Sequence, residues 1–387
     1  MKRWNLFILL VAALCLGSCS DWDDPKTARA ERASSAKGDI VIGAVWPWQG
    51  PKGSLWTGIE IAVDEINDAG GVLGRRLRIV KEDDESSLAK GRLIAQKFAE
   101  NLDMVAVIGH LNSYIALPAS TIYQGAGLLF ITPGASTYQL NNQGYDLVFR
   151  SIPSNRSVGQ RMATYMAGKG YRRVVIYYVK DKNSQDMANY FEQQAKQLGL
   201  AIVDRRSFMQ GTQDFGIAIQ TWKDLYEFDA LFIAANMPEA ANFLIQARRM
   251  ELNVPIVGGD GMDTPKLIEL AGAQAEGVVV PESVVHDRER RRYRRFNQLA
   301  IARLGEPRNY DAARHSQALQ GYDAVHLLAH AMREANSTVP AKVAAALRAT
   351  QGWEGATGVF TFDDKGDIPL KLIAQKTVRG GAFVPAE

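Results

Sequence analysis

The chain has 387 residues, with 45 Lys or Arg against 42 Asp or Glu. Because the two signs of charge nearly balance, the composition gives no indication of a nucleic-acid partner, which would need an excess of basic residues. The two cysteines, Cys15 and Cys19, both lie near the N-terminus, so the rest of the chain has no disulfide to form.

The first residues have the order of a secretory signal peptide, predicted over residues 1–18. Lys2 and Arg3 precede the apolar run 6–16, which is too short to cross a bilayer comfortably. Residues 16–19 resemble a bacterial lipobox, which implies that Cys19 becomes the lipid-bearing first residue of the mature protein. The alternative is ordinary signal cleavage, with Cys19 incidental.

Residues 19–38 form the next segment. They are rich in Asp, Ala and Ser and show no apolar period, so we predict a flexible tether between the lipid and the folded part. The roughly 350 residues that follow are too many for one ordinary core and suit two domains.

From residue 39 onward, predicted strands and helices alternate, which is typical of parallel sheets covered by helices. The first series consists of strands 39–45, 77–80, 105–108 and 128–131, with helices 55–66, 88–98 and 115–124. A second series has helices 158–167, 187–198, 217–225 and 239–250, with strands 174–179, 202–203, 230–234, 255–257 and 278–280. The remainder is predicted as helices 290–304, 312–334 and 341–349, then strands 358–362 and 370–374.

Two polar turns in the first series follow neighbouring strands. Ser113 comes after the strand Val105–Ile108, and Ser136 comes after Leu128–Ile131. In open α/β sheets, ligands bind outside the carboxyl ends of the strands, where helix N-termini present N–H groups to an anion. The pattern therefore predicts a pocket for a small charged ligand. The alternative is that both serines only cap helices.

The basic cluster at 288–295 opens a helical pattern that leaves Tyr293 and Phe296 on one face. We interpret its arginines as a solvated helix face, the alternative being a surface that docks on acidic lipid or a partner.

Catalytic motifs are missing from the sequence: it has no nucleophile elbow, zinc-protease motif, P-loop or dinucleotide fingerprint. The histidines are scattered, at positions 110, 286, 315, 326 and 330. His326 and His330 lie one helical turn apart, but without an accompanying carboxylate pattern, so we do not expect them to bind a metal. We therefore predict neither an enzyme nor a bound cofactor or metal.

Several segments together carry a resemblance to a known family. They fall in this order and spacing: Gly50-Pro51, then 65–75, 83–86, 107–109, 132–136 and 321–324. So arranged, they resemble the type I periplasmic binding proteins of the branched-chain amino-acid (Leu/Ile/Val-binding) family of ABC transporters, over nearly the whole chain from Asp39.

The resemblance implies an α/β fold of two Rossmann-like lobes, joined by a three-strand hinge, that close on a ligand like a Venus flytrap. We expect lobe one to comprise 39–152 and 283–365, and lobe two 153–282 and 366–387. The resemblance also implies a monomer in the periplasm or at the cell surface, with an ABC permease as partner.

The ligand site follows from the same resemblance. The α-carboxylate of the ligand is expected at Ser113, through its hydroxyl and, with Tyr114, through backbone N–H groups.

The ligand ammonium is expected at Gly134, Ala135 and Ser136, with Asp260 of lobe two as its acid. A buried ammonium needs a carboxylate partner and acceptors for all three protons, which agrees with this set. Asp260 stands between glycines, so the alternative is that it only forms a turn.

Two departures from the family pattern concern lobe two. Gln185 and Asp186 stand where many relatives have Tyr-Gly, and Asn236 stands where leucine-binding relatives have an aromatic residue. In lobe one, Trp46 and Trp48 either pack in the core or stack on a planar or cationic ligand group, which is worth about 0.5–2 kcal/mol. We therefore expect an amino acid with a polar or planar side chain, an amide or another small acid, rather than leucine.

These inferences predict a lipid-anchored, extracytoplasmic solute-binding protein that delivers an amino acid or similar small polar ligand to an ABC importer. Ligand contact with both lobes would shift the population toward a closed state. One alternative is a sensory module of the same fold that reports to a membrane signalling protein. A surface hydrolase is the least favoured class, because the nucleophile constellation is missing.

Overall fold

The computed structural model describes residues 24–49, 54–284, 287–304, 316–369 and 371–386. The predicted signal peptide, the lipidation of Cys19, the Gly50-Pro51 segment, His286 and His315 lie outside the described residues. Within the described ranges, no helix has the length and apolar character that a membrane crossing requires.

The helices of the described residues are α1 (Pro25–Ser35), α2 (Leu55–Asp68), α3 (Leu88–Glu100), α4 (Ser113–Gly125), α5 (Asn155–Gly168), α6 (Lys182–Gln197), α7 (Gly216–Leu225), α8 (Glu239–Arg249), α9 (Pro265–Ala271), α10 (Arg291–Leu304), α11 (Ser316–Glu334) and α12 (Pro340–Ala349). The strands are β1 (Ile40–Val45), β2 (Leu77–Glu82), β3 (Met104–Gly109), β4 (Leu129–Thr132), β5 (Val148–Arg150), β6 (Arg173–Val179), β7 (Ala201–Phe208), β8 (Ala230–Ala234), β9 (Ile256–Gly258), β10 (Val279–Glu282), β11 (Trp353–Glu354), β12 (Val359–Phe360), β13 (Ala374–Arg379) and β14 (Ala382–Pro385).

Two main sheets organise these elements. Sheet one has the order β2-β1-β3-β4-β5 and is parallel throughout. Sheet two has the order β14-β13-β10-β9-β8-β6-β7, in which β13 and β14 form an antiparallel edge. In each sheet, the order in which successive strands are added reverses beside the first strand, between β1 and β3 and between β6 and β8. Doubly wound sheets bind ligands at such a reversal of strand order. The predicted α/β fold with two lobes is confirmed.

The strand predicted at 370–374 is wrong, because β13 begins only at Ala374. The strand predicted at 202–203 is longer than expected, since β7 runs to Phe208. The elements β5, α9, β11 and β14 were not predicted, because each is short and carries little periodicity of its own.

The chain passes between the two lobes after β5, between β10 and α10, and between β12 and β13. Although α10, α11 and α12 follow β10 of lobe two, their buried residues belong to the core of sheet one. At the third crossing, Ile368 still lies in the core of lobe one and Ile373 lies in that of lobe two. The change of lobe therefore falls a few residues later than the predicted boundary at 365; the other boundaries stay predictions.

Helix α1 lies in the segment predicted as a flexible tether. Asp24 caps it, since its side chain accepts a hydrogen bond from the backbone N–H of Lys26. Arg29 is fully buried against lobe one, where its guanidinium donates to backbone carbonyls of the α3–β3 and α4–β4 connections. Burial lowers the pKa of Arg29 to about 10. The tether prediction is wrong here, because one long cation with carbonyl acceptors fixes a helix that has no apolar stripe.

Helices α2 and α11 cross in close backbone contact. A Cβ on Gly58 would lie 1.7 Å from the carbonyl oxygen of Ala318, and one on Gly321 would lie 2.4 Å from that of Leu55. Any larger residue at either glycine would separate the helices. Gly321, in the motif segment 321–324, therefore serves to join these two helices.

Glu65 of α2 joins three side chains at this crossing. It accepts hydrogen bonds from Tyr322 (2.5 Å) and Arg295 (2.7 Å), and it pairs with Nε2 of His326 (3.2 Å). Burial favours the neutral carboxyl, but bonds from His326, Arg295 and Tyr322 outweigh it and lower the pKa of Glu65 to about 2. His326 therefore has a structural partner in Glu65.

The basic cluster on α10 divides as the sequence pattern predicts. Tyr293 and Phe296 are buried in the core of lobe one. Arg291 and Arg294 are exposed, and Arg294 pairs with Glu289 at 3.4 Å. These exposed arginines lie on the solvent side of the helix.

Buried charged groups connect the first and third crossings. Arg150 pairs with Asp367 at 2.5 Å, with both side chains largely buried. Nζ of Lys371 donates to Ser151 O (3.2 Å) and Thr357 Oγ1 (2.8 Å). Burial lowers the pKa of Lys371 to about 7, although the nearby Asp323 carboxylate opposes this shift.

The buried Lys371 makes stability depend on pH in a defined direction. Its pKa is lower in the folded chain than in the unfolded chain, about 10.4, so the unfolded chain binds the extra proton between about pH 7 and pH 10. Wild-type stability should therefore gain from Lys371 as pH rises through this window. In urea titrations, we expect the free energy of unfolding of Lys371→Met minus that of wild type to be larger at pH 6 than at pH 10, so the variant is relatively more stable at pH 6. The exposed Lys342→Met is the control; a Lys371→Met difference that is equal at both pH values would contradict the prediction.

Candidate functional site

The predicted site residues follow the carboxyl ends of strands in both sheets. In lobe one they follow β1, β3 and β4; in lobe two they follow β6, β8 and β9. The two sets of turns face each other, since Ser136 after β4 bonds directly to Asn183 after β6. The site is therefore bipartite.

The turn after β3 rests on a buried polar network. His110 is fully buried, and its Nδ1 pairs with Oδ2 of Asp84 at 2.8 Å while its Nε2 pairs with the Tyr123 hydroxyl at 3.1 Å. Burial, and then the Asp84 charge, raise the pKa of Tyr123. In the sequence, His110 is one of several scattered histidines, and its partners were not predicted. The available signal was the acidic pair 83–84, which follows β2.

Thr132, at the end of β4, joins the two turns of lobe one. Its hydroxyl donates to the carbonyl of His110 (3.0 Å) and accepts from the N–H groups of Gly134 (3.1 Å) and Ala135 (2.9 Å). Ala135 is fully buried. The Ala135 N–H thus bonds to Thr132. The expected contact of the Ala135 backbone with the ligand stays a prediction.

Ser113 and Ser136 do not act as helix caps. Asn112 is the N-cap of α4, and Ser113 is its first residue. The Ser113 hydroxyl accepts from the backbone N–H of Thr137 at 3.3 Å, while the Ser136 hydroxyl donates across the lobes to Asn183 at 3.0 Å. The Ser113 hydroxyl thus lies at the N-terminus of α4 against the β4 turn, and the Ser136 hydroxyl lies where that turn meets lobe two.

Tyr114, beside Ser113, is 55% exposed, and its hydroxyl donates to the carbonyl of Ser86 at 2.6 Å. This bond fixes the side chain against the loop after β2. The backbone N–H of Tyr114 belongs to the first turn of α4, so it is the part of Tyr114 suited to an anion.

The two tryptophans have different surroundings. Trp46 is fully buried beneath the β4 turn, where a Cβ on Gly134 would lie 2.4 Å from its ring. Trp48 donates from Nε1 to the carbonyl of Glu82 at 2.7 Å and packs edge-on against Trp56. Nζ of Lys81 lies 4.9 Å from the Trp48 ring and 4.1 Å from the Trp56 ring. Trp46 therefore supports the turn, and Trp48 already contacts a cation of this chain.

In lobe two, Asn236 and Asp260 come together. Asn236 follows β8 and is exposed, and its Oδ1 lies 2.2 Å from the position that a Cβ on Gly261 would take. Asp260 begins a 3₁₀ turn after β9 and is partly exposed. Gln185 is exposed on the first turn of α6. Asp260 thus lies in a turn, as the alternative to a ligand contact expected. Its place after β9 also suits the predicted ligand contact.

The β4 turn makes contacts across the lobes that the sequence analysis missed. Besides the Ser136–Asn183 bond, the N–H of Asn155 donates to the carbonyl of Ser136 at 2.8 Å. Tyr138 packs edge-on against Tyr190 of α6 at 5.5 Å between ring centroids. A usable signal was Asp181, which caps α6 through Ser184 N (2.8 Å) and so places Asn183 in the first helical turn.

Gly134 offers a test of the packing beneath the turn. A Cβ there would also lie 2.9 Å from the Cα of Leu111, and neither that backbone nor the buried Trp46 can move freely. We expect Gly134→Ala to lower the free energy of unfolding by about 1–3 kcal/mol through overpacking. Calorimetry should show at least tenfold weaker ligand binding. The control is Gly125→Ala, because a Cβ at Gly125 meets nothing within 4 Å; equal effects of the two substitutions would contradict the prediction.

Comparison with known proteins agrees with this geometry. A family model described as periplasmic binding protein matches residues 39–375. A Leu/Ile/Val-binding protein homolog of Brucella melitensis is 29% identical over 345 residues, which cover 87% of this chain and 89% of the relative. A leucine-, isoleucine-, valine-, threonine- and alanine-binding protein of Pseudomonas aeruginosa is 28% identical over 343 residues, which cover 87% of this chain and 88% of the relative.

Among solved structures, an ABC transporter substrate-binding protein of Desulfitobacterium hafniense in complex with Leu superposes with a TM-score of 0.77. It is 36% identical, and the match covers 90% of this chain and all of that chain. The resemblance found in the sequence is therefore confirmed. The chain belongs to the periplasmic binding protein family, a family of extracytoplasmic substrate-binding proteins rather than enzymes.

Proposed function

We propose that this protein captures an amino acid or similar small polar ligand between its two lobes and delivers it to an ABC importer. The observation that carries the proposal is the pair of turns at Ser113 and Ser136, which Thr132 joins and which face Asn183 of lobe two. The relatives named for leucine, isoleucine, valine, threonine and alanine support an amino-acid ligand.

The two charged groups of an amino acid have separate places in this site. Its carboxylate is assigned to the N-terminus of α4, where Ser113 and the N–H of Tyr114 present donors and the helix dipole favours an anion. Its ammonium is assigned to the Gly134 carbonyl, the Ser136 hydroxyl and Asp260. Because Asp260 comes from lobe two, ammonium binding would favour the closed arrangement.

Lobe two supplies the wall that contacts the ligand side chain. Asn236 and Gln185 are exposed amides beside the turn of Asp260 and on α6, respectively. Amides left unpaired against a leucine side chain would lose their hydrogen bonds with water, which costs about 1–3 kcal/mol for each group. The site therefore suits an amino acid with a small polar side chain better than leucine.

Calorimetry against a library of amino acids, amides and small carboxylates tests this proposal. The wild-type protein should bind at least one amino acid. Ser113→Ala and Asp260→Ala should each weaken binding roughly tenfold or more, since a hydrogen bond to a charged group is worth about 1.5–3 kcal/mol. Ser207→Ala, at an exposed position of β7, is the control. If no amino acid binds, or if both site variants bind as tightly as wild type, the amino-acid function is refuted.

We also propose that Cys19 carries a lipid that anchors the protein to a bacterial membrane. Five residues separate Cys19 from Pro25, the start of α1, and this segment can span at most about 22 Å. Helix α1 docks where β3 and β4 begin, at the opposite edge of sheet one from the site. A lipid on Cys19 would therefore hold lobe one close to the membrane, with the site directed away from it.

The anchor can be tested in a bacterial host by labelling cells with radioactive palmitate and fractionating them. The wild-type protein should be labelled and remain with the membranes, whereas Cys19→Ala should be unlabelled and recovered without them. Cys15→Ala is the matched control, because it removes the other cysteine without touching the expected lipid site. Membrane retention of unlabelled wild-type protein would speak against the anchor.

A further inference from the structure

Asn183 is the lobe-two side chain that bonds to the Ser136 turn. It lies in the first turn of α6, which Asp181 caps, and it is partly buried. The neighbouring Gln185, which the sequence analysis selected as the lobe-two contact, is exposed on the same helix. The position of Asn183 makes it the side chain to examine for ligand contact.

The direction of the Asn183 amide follows from a chain of hydrogen bonds that starts at a backbone donor. The N–H of Tyr138 can only donate, and it bonds to Asn155 at 3.1 Å, so the atom that receives it is the oxygen of that amide. The other end of the Asn155 amide, Nδ2, therefore donates to Asn183 at 3.2 Å. The receiving atom of Asn183 is thus its Oδ1.

The same oxygen of Asn183 also accepts the Ser136 hydroxyl at 3.0 Å. Two donors occupy the two lone pairs of Oδ1, which leaves Nδ2 with two hydrogens to donate. Among the residues that the structure describes, no acceptor bonds to Nδ2 of Asn183. An oriented amide donor therefore stands beside the Ser136 turn with its hydrogens available.

We propose that Asn183 is a ligand-binding residue whose Nδ2 donates to an oxygen acceptor of the ligand. This inference rests on the proposed function, and it assigns to lobe two a donor in addition to the acidic Asp260. The acceptor is either the carboxylate or a side-chain oxygen of the amino acid. The proposal also gives a reason for an amide at this position, since its oxygen joins the lobes while its nitrogen binds the ligand.

Two substitutions separate ligand binding from the contact between the lobes. Asn183→Asp keeps an acceptor for Ser136 and Asn155 but removes both donors, whereas Asn183→Ala removes donors and acceptor together. If Nδ2 binds the ligand, calorimetry should show at least tenfold weaker binding for both variants. If Asn183 only joins the lobes, Asn183→Asp should bind as tightly as wild type, which would overturn the proposal. Gln193→Ala, exposed on the same helix, is the control, and thermal melting verifies that each variant folds.

Threonine and valine serve as probes of which ligand oxygen is bound, because their side chains have nearly the same shape and differ by one hydroxyl. If Nδ2 binds the side-chain oxygen, wild type should prefer threonine, and both Asn183 variants should lose that preference. If Nδ2 binds the carboxylate, the Asn183 variants should lose affinity for threonine and for valine by the same factor relative to wild type.

The outcomes also separate this inference from the proposed function. If Asn183→Ala and Asn183→Asp both bind an amino acid as tightly as wild type does, the proposed role of Asn183 alone is overturned. Wild-type protein that binds no amino acid would overturn the proposed function and, with it, the role of Asn183.

Discussion

A single buried hydroxyl, Oγ1 of Thr132, holds the two turns of lobe one in a fixed relation. It bonds at once to the His110 carbonyl and to the N–H groups of Gly134 and Ala135. The Asp84–His110–Tyr123 network supports one side of this junction, and the ring of Trp46 supports the other. Ser113 and Ser136 thus take their positions from groups that need no ligand, so the lobe-one half of the site is preorganised.

The link between the lobes has a different character. Where the chain crosses from one lobe to the other, Arg150 pairs with Asp367, and Lys371 bonds to the Ser151 carbonyl and the Thr357 hydroxyl. A buried charge loses several kcal/mol if its partner moves away, so it resists slippage of one crossing past another. The first and third crossings are therefore held in register by fixed contacts.

The features that depend on local pattern could be predicted from the sequence. Alternating apolar strands and amphipathic helices predict two α/β lobes, and the ends of β3 and β4 locate Ser113 and Ser136 because parallel strands bring their carboxyl ends to one edge. Features that depend on partners distant in the chain could not be predicted from the sequence. Arg29 lies in a polar segment, and only the carbonyls some 70 to 97 residues away make it a fixed point. The role of Asn183 likewise appears only when Asn155 and Ser136 stand beside it.

The close crossing of α2 and α11 has a consequence for how the chain folds. These helices belong to one core, yet Gly58 and Gly321 are separated by the whole of the body of lobe two. Contacts between residues so far apart in sequence form slowly, because a long loop must close first. During synthesis the parallel strands β6 to β10 are complete well before α11 emerges, so they can pair while lobe one waits for its last helices. The antiparallel edge strands β13 and β14 join sheet two only after α11. Folding of lobe one is therefore complete only when α11 packs against α2.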